Sequence, residues 1–251
     1  AVVNVNFEEG QCYSGQVATP YPGYTPMIVK FDEHQKMPTT RIEYSYYLMA
    51  VDAELQMMPS RLLEGEQTAH FLTERFDRQN GKKVHIQTLA AMNPSADSYE
   101  ALFEAACRIG VPPGELRQLF RSMVLNVLGG NVDDHNKNFS FLMDDDGHWH
   151  VAPAYDYTFS VDPDAPYYVN RHSMTVNNKT EGITAEDLLE VARRYGIKAA
   201  EPFIEKAIGI VSHYPEYGRE AGVGEEWIGT IEKEIAARIE CVSDNRADRL
   251  K

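Results

Sequence analysis

Basic residues are scarce in this chain: 24 Lys and Arg stand against 38 Asp and Glu, for a formal net charge of −14. So acidic a chain argues against direct, non-specific binding of nucleic acid, which depends on Lys and Arg neutralising phosphates. It leaves room for a basic protein partner. Cysteine is scarcer still. Cys12, Cys107 and Cys241 are odd in number, far apart and without metal-ligand spacing. That argues against a disulfide scaffold or a thiolate metal centre, and the expectation is a reduced, cytoplasmic protein with buried, inert thiols. No apolar run approaches the ~18 residues of a membrane span, and no stretch reads as a signal peptide, an internal repeat or a low-complexity segment. What is present is ordinary globular material: 251 residues, 43% of them hydrophobic, enough for one bilobal domain or two small ones.

The first third reads as mixed α/β. Residues 1–7 alternate like a strand and turn near Glu9-Gly10; residues 14–26, rich in Gly, Pro and Tyr, read as a loop; 26–31 read as a second strand. The pattern predicts a helix from Thr40 to about Ala53, with Thr39 or Thr40 as N-cap. Strands are expected over 60–64 and 69–76, followed by a charged turn at Gln79-Asn80-Gly81. The remainder reads as mainly helical, over 98–109 with Ser98 as cap, Pro113 to about Leu128, and about 184–195, 199–213 and 224–241, with 160–183 irregular. Apolar Leu116, Leu119, Phe120, Met123, Val124 and Val127 carry the second of these helices, and Gly129-Gly130 ends it. The expected fold is α+β and bilobal, with a β-rich lobe over 1–78 and a mainly helical lobe over 79–251.

The chemistry concentrates after Gly130. Asn131-Val132-Asp133-Asp134-His135-Asn136-Lys137-Asn138 is followed by Tyr155-Asp156. Phosphoryl transfer from ATP needs a carboxylate to accept the proton of the attacking hydroxyl, and an amide oxygen and a second carboxylate to hold Mg²⁺ against the phosphates. In protein kinases the base Asp stands five positions before the metal-binding Asn, the spacing of Asp133 and Asn138. Between Asn138 and Asp156, residues 139–143 and 148–153 read as strands joined by the turn Asp144-Asp145-Asp146-Gly147. A hairpin brings its ends together, so Asn138 and Asp156 are expected side by side as Mg²⁺ ligands. Asp, Asn and Gly also cluster in turns for backbone reasons alone, and Asp144 to Asp146 are read as no more than that. A kinase further needs a strand Lys for the phosphates, oriented by a helical Glu. Lys30 ends an apolar strand and Glu43 follows in the next helix, with Glu54 also available. Glu74-Arg75-Phe76 stands where the hinge between lobes belongs.

These runs, together with Asp77-Arg78, Lys83-Val84-His85 and Pro153-Ala154-Tyr155-Asp156, resemble the HipA-like serine/threonine kinases of bacterial toxin–antitoxin modules. The resemblance implies a bilobal kinase-like fold, ATP and Mg²⁺ as cofactors, and Asp133 as base, with Asn138 and Asp156 on the metal. It places His135 and Lys137 along the catalytic loop near the phosphates, Lys30 on the α/β-phosphates, and Glu74, Arg75, Phe76 and Tyr155 with the nucleotide. Asp134 competes with Asp133 as base, and the spacing to Asn138 favours Asp133. Members of the family phosphorylate protein hydroxyls, notably on aminoacyl-tRNA synthetases, autophosphorylate a Ser, and bind a small helix-turn-helix antitoxin of HipB type that supplies the DNA contacts. The Gly-rich segment and small β domain that precede the first strand in full-length members are not in this sequence. A separate small N-terminal domain protein is therefore a further expected partner. The alternatives are an inactive kinase-fold partner or co-repressor, which the missing Gly-rich loop favours, and a lipid or small-molecule kinase, since D-x-H-x-x-N also resembles lipid-kinase loops.

Overall fold

The computed structural model describes residues 1–15, 21–32, 36–66, 68–79, 81–166 and 169–247, with the backbone alone for 244–247. Parts of the expected elements lie outside the described residues: 16–20 of the Tyr-rich loop, Gln67, Asn80 of the charged turn, 167–168 of the irregular stretch, and 248–251.

Alternating apolar residues build the first sheet. Strands β1 (Val2–Asn6), β2 (Gln11–Ser14), β3 (Thr25–Lys30), β4 (Ser60–Glu64) and β5 (Ala69–Glu74) are antiparallel in the order β2-β1-β3-β5-β4. Successive side chains of a strand point to opposite faces. Met27 and Val29 therefore pack with Leu72, Val3 and Val5 on one face, while Ile28 and Lys30 look into a cavity on the other. The edge strand β2 was not legible in the sequence, because Gln11-Cys12-Tyr13-Ser14 is short and mostly exposed, without an apolar face to alternate.

Helix α1 (Thr39–Asp52) buries Ile42, Tyr46 and Met49 in the main core. Neither Thr39 nor Thr40 caps it; Pro38 occupies the N-cap position, no side chain bonds there, and Thr40 is buried within the first turn. The fixed φ of proline is pre-organised for helix entry, so the helix starts earlier and takes in both threonines.

The two-residue strands β6 (Arg78–Gln79) and β7 (Lys82–Lys83) pair after β5. β8 (His85–Thr88), β9 (Ser140–Met143) and β10 (Trp149–Val151) form a second antiparallel sheet in the order β10-β9-β8. Around it stand α2 (Leu89–Met92), α3 (Tyr99–Arg108), α4 (Leu116–Gly129), α5 (Ala185–Arg194), α6 (Ala200–Val211), α7 (Tyr214–Glu220) and α8 (Glu225–Ala247). Ser98 caps α3 by accepting from the Ala101 N–H. α4 begins at Leu116 rather than Pro113, because the Glu115 N–H closes a turn on the Pro112 carbonyl. α7 was not expected, since the sequence pattern assigns no helix between 213 and 224; its Pro215 sits in the first turn, where its missing N–H costs nothing. Gly218 admits the Ile228 side chain, which would stand 2.9 Å from a Cβ. The thiols also depart from expectation. Cys12 and Cys107 are exposed on the outward sides of their elements, and Cys241 is half-buried with its Sγ on the Ile183 carbonyl at 3.6 Å.

Gly130 ends α4 in the left-handed region at φ 69°, its N–H on the Asn126 carbonyl, a conformation Gly adopts without a Cβ penalty. Gly129 is constrained by space instead. Its carbonyl accepts from Tyr46 Oη at 2.5 Å, and a Cβ there would lie 2.7 Å from Tyr157 Oη and 3.1 Å from Tyr46 Cε1. Gly129→Ala is expected to destabilise the protein by about 1–3 kcal/mol, the usual cost of overpacking. Urea unfolding would register this as a lower midpoint at unchanged slope.

Candidate active site

A cavity of about 470 Å³ opens between the first sheet and the helical part, within the range of small-molecule sites. Its apolar wall is Val2, Ile28 and Phe71 from the sheet with Met57, Met58 and Ile86 opposite. Its polar rim carries Lys30, Glu43, Glu74, Arg75, Lys137, Tyr155 and Asp156. Residues 126 positions apart meet here: Lys30 Nζ contacts Asp156 Oδ1, and stands 2.7 Å from Glu43 Oε1. Asp156 reaches this place because β10 ends at Val151 and the chain then crosses under the first sheet, with the Ala154 N–H on the Gln56 carbonyl at 2.8 Å and a parallel bridge from Ala154 to Met57. Asp156 has φ 52°, a left-handed conformation that costs a non-glycine residue of order 1–3 kcal/mol and persists at functional sites.

The alternative left open by the sequence is resolved by distance. Glu54 binds Lys206 and Arg121 at 2.7 and 3.0 Å, so Glu43 is the glutamate that orients Lys30. Glu43 is buried, and burial pushes its carboxyl up from 4.5 to about 7 against the opposing pull of Lys30. For Lys30, burial lowers the value, but the charges and hydrogen bonds of Glu43 and Asp156 more than offset it, and the net direction is up. Lys30 therefore stays cationic, and Glu43 is the partner whose charge is opposed. The sign for stability follows. Between about 4.5 and 7 the folded chain keeps a proton that the unfolded chain has lost. Stability from this group is thus full below 4.5 and lost as pH rises through about 7. Glu43→Gln, which cannot ionise, is expected to flatten the fall of unfolding free energy over that interval in urea titrations run at stepped pH.

The loop after α4 separates its two aspartates. Asp133 is exposed, and among the described residues its carboxylate approaches only the His135 ring, at 3.9 Å. Asp134 is fully buried and accepts four hydrogen bonds, from Tyr99 Oη (2.7 Å), His172 Nδ1 (2.9 Å), and the Ser173 and Met174 N–H groups (2.8 and 3.3 Å). The two oxygens of Asp134 are thus saturated by donors, whereas the Asp133 carboxylate stays exposed. Asn138 Nδ2 donates to the Asp133 carbonyl at 3.0 Å, which fixes its amide against the loop. Pairing of Phe141 with Val151 and the Ala152 N–H on the Ser140 carbonyl carry Asn138 and Asp156 off the same end of the hairpin. At the other end Asp144 Oδ1 accepts from the Asp146 and His148 N–H groups at 2.9 and 2.8 Å, so this acid closes a turn.

The residues that follow β5 divide by what they touch. Arg75 turns its guanidinium onto Asp77 (2.9 and 2.8 Å) and Arg78 adds a third bond at 2.6 Å. Arg75 thus stiffens the chain just after β5 even as it lines the cavity. Phe76 and Tyr155 pack ring to ring, with centroids 5.6 Å apart. Tyr155 Oη lies 2.5 Å from Ser140 Oγ and donates to the Lys137 carbonyl at 2.8 Å; burial pushes its phenol up to about 12. Lys30, Glu43, Glu74, Arg75, Phe76, Lys137, Tyr155 and Asp156 are therefore brought to one cavity. Asp133 and His135 are not among its lining residues, and Asn138 lines a smaller neighbouring recess with Ser140 and Tyr155. Sequence reasoning missed Met57, Met58 and Thr88 on the wall, whose only signal was position after an unassigned linker, and Ser160, whose Oγ receives the Asp133 N–H at 3.0 Å.

A strand lysine held by a helical glutamate under an antiparallel sheet, facing an Asp–Asn loop and a hairpin that ends in Asp, defines the protein-kinase-like class. The chain belongs to the HipA-like C-terminal domain family, which it matches over residues 4–216. Two solved structures are similar to it. HipA, in the complex of the Shewanella oneidensis MR-1 toxin–antitoxin proteins HipA and HipB with their operator DNA, matches with a TM-score of 0.69 at 18% identity, over 90% of this chain and 62% of that one. This chain therefore spans less than two thirds of that HipA. The Helicobacter pylori proinflammatory kinase CtkA matches with a TM-score of 0.57 at 17% identity, over 92% of this chain and 93% of that one. At these identities the likeness speaks to fold. No curated protein matches the sequence. No described helix is long and apolar enough to cross a membrane.

Proposed function

We propose that this chain is an ATP-dependent serine/threonine protein kinase of a toxin–antitoxin module. The observation that carries the reading is the meeting of Lys30, Glu43 and Asp156 at the rim of a nucleotide-sized cavity. Val2, Ile28 and Phe71 offer an apolar slot for a purine, and Lys30 a cation for phosphates. The oxygen donors fit a hard divalent ion, with Asp156 supplying a carboxylate and Asn138 an amide oxygen. A divalent ion held by these two residues would supply positive charge against the charge that develops on the phosphates. Asp133, exposed at the loop, accepts the proton of a protein hydroxyl as its oxygen attacks the γ-phosphorus, and the γ-phosphoryl group leaves ADP. Lys137 lines the cavity, where it would meet the phosphates, and His135 stands beside Asp133. The HipA neighbour, solved with HipB and operator DNA, supports a helix-turn-helix antitoxin of HipB type as partner, and the net charge of −14 suits a basic one.

Thermal unfolding with ATP alone, with Mg²⁺ alone and with both tests this. A ligand at 100-fold over its Kd adds about 2.7 kcal/mol. At about 2–4 °C per kcal/mol for a chain of this size, the midpoint is expected to rise by about 5–11 °C, and only with both present. An unchanged midpoint in all three would turn the reading toward a kinase-fold partner without nucleotide.

A further inference from the structure

Asp134 has no part in the proposed transfer, yet it is the most completely buried acid at the site. Its surroundings close a circuit in which every donor and acceptor is used in a consistent direction. The Asp133 N–H donates to Ser160 Oγ at 3.0 Å, and Ser160 Oγ donates to Asn131 Oδ1 at 3.2 Å. Asn131 Nδ2 donates to Asn126 Oδ1 at 3.0 Å, Asn126 Nδ2 to Tyr99 Oη at 2.9 Å, and Tyr99 Oη to Asp134 Oδ2 at 2.7 Å. The Asp133–Asp134 peptide closes the ring. Two branches leave it. Asn131 Nδ2 also donates to the Asp156 carbonyl at 3.2 Å. On the far side Asp134 can only accept, so His172 carries its proton on Nδ1, and Nε2 accepts from Arg238 at 3.3 Å.

We propose that this ring, centred on Asp134, is a positioning device that fixes the peptide of the base Asp133 and couples it to the backbone of Asp156. The inference rests on the kinase reading for the roles of Asp133 and Asp156, but the ring itself is a matter of geometry. Buried polar groups cost free energy unless each is paired, and the ring, with Asp134 saturated by Tyr99, His172 and the Ser173 and Met174 N–H groups, pairs them in one loop conformation. Asp133, anchored through its N–H rather than its carboxylate, keeps that carboxylate free while its Cα is held. Asp134, Tyr99, Asn126, Asn131 and Ser160 thus act through Asp133 and touch no reacting atom.

Two substitutions remove one ring atom each with little change of volume: Tyr99→Phe and Ser160→Ala, with Ser160→Thr as the variant that restores a hydroxyl. Two measurements are made on the full chain. The first is ATP turnover with Mg²⁺. Tyr99→Phe and Ser160→Ala are expected to lower kcat by up to about 100-fold, the scale of a ~1 Å misplacement, with KM for ATP within about twofold and Ser160→Thr near the parent value. The second is amide hydrogen exchange over residues 129–138, read without reference to activity. Exchange is expected to quicken by about tenfold in Tyr99→Phe and Ser160→Ala, the equivalent of ~1.4 kcal/mol of local opening. Unchanged exchange there in both variants, or kcat and KM moving together with the folded fraction, would overturn the positioning role. A parent chain that turns over no ATP while the exchange pattern holds would instead count against the kinase reading and leave the ring in place.

Discussion

Replacing Asp133 with alanine is expected to lower phosphoryl transfer by about 10²- to 10⁴-fold, the usual contribution of a positioned general base, while melting temperature and ATP affinity stay at parent values. The asymmetry comes from how the residue is held. Its carboxylate is exposed and its nearest described partner is the His135 ring at 3.9 Å, so truncation breaks no side-chain hydrogen bond. Its backbone N–H keeps its place on Ser160 Oγ. Asp134→Ala is expected to do the reverse. Removing a buried carboxylate that accepts four hydrogen bonds orphans Tyr99 Oη, His172 Nδ1 and two backbone N–H groups. Each buried orphan costs about 1–3 kcal/mol, so the loss is read first in thermal unfolding. Two adjacent aspartates should thus separate cleanly when both variants are assayed side by side for turnover and for stability. Equal loss of stability in the two, or a fully active Asp133→Ala chain, would remove Asp133 from the role of base.

Asp156→Asn is expected to abolish the Mg²⁺-dependent part of nucleotide binding. The change exchanges a carboxylate oxygen for an amide nitrogen at the position proposed for the metal, and it removes one of the two anionic partners of Lys30. Asparagine is preferred to alanine because φ is 52° at this residue and Asn visits the left-handed region more readily than other non-glycine residues. The midpoint gain of about 5–11 °C expected for the parent with ATP and Mg²⁺ together should fall to the level seen with ATP alone. A gain equal to that of the parent would mean that Asp156 holds no metal, and that its bond to Lys30 is a structural ion pair.

Much of the candidate site could be proposed from spacing because its loop and hairpin are local. Five residues from Asp133 to Asn138 and a two-stranded hairpin ending before Asp156 are features a sequence can display. The elements with strong periodicity, β1, β3, β5, α3 and the body of α4, were likewise readable. Those that failed were short or governed by distant contacts. β2 and β8 have four residues each and borrow their stability from neighbouring strands. α7 contains a proline and a glycine that only its packing on α8 explains. The cysteines were expected inside on residue type alone, but element faces decided otherwise.

By itself the sequence determined composition and spacing: acidic residues in excess, three scattered cysteines, and an Asp–Asn–Asp set at the spacing expected of a kinase loop. Tertiary structure decided which of several equivalent side chains holds each place. Glu43 rather than Glu54 meets Lys30 because α1 lays it against β3, while Glu54, just beyond the helix end, turns to Lys206 and Arg121. Asp134 rather than Asp133 is drawn inside because Tyr99 and residues 172–174 close over it. The physical reason is common to both. A carboxylate's role is set by the donors around it, and those donors come from segments 13 to 152 residues away in the chain, beyond the reach of any local pattern.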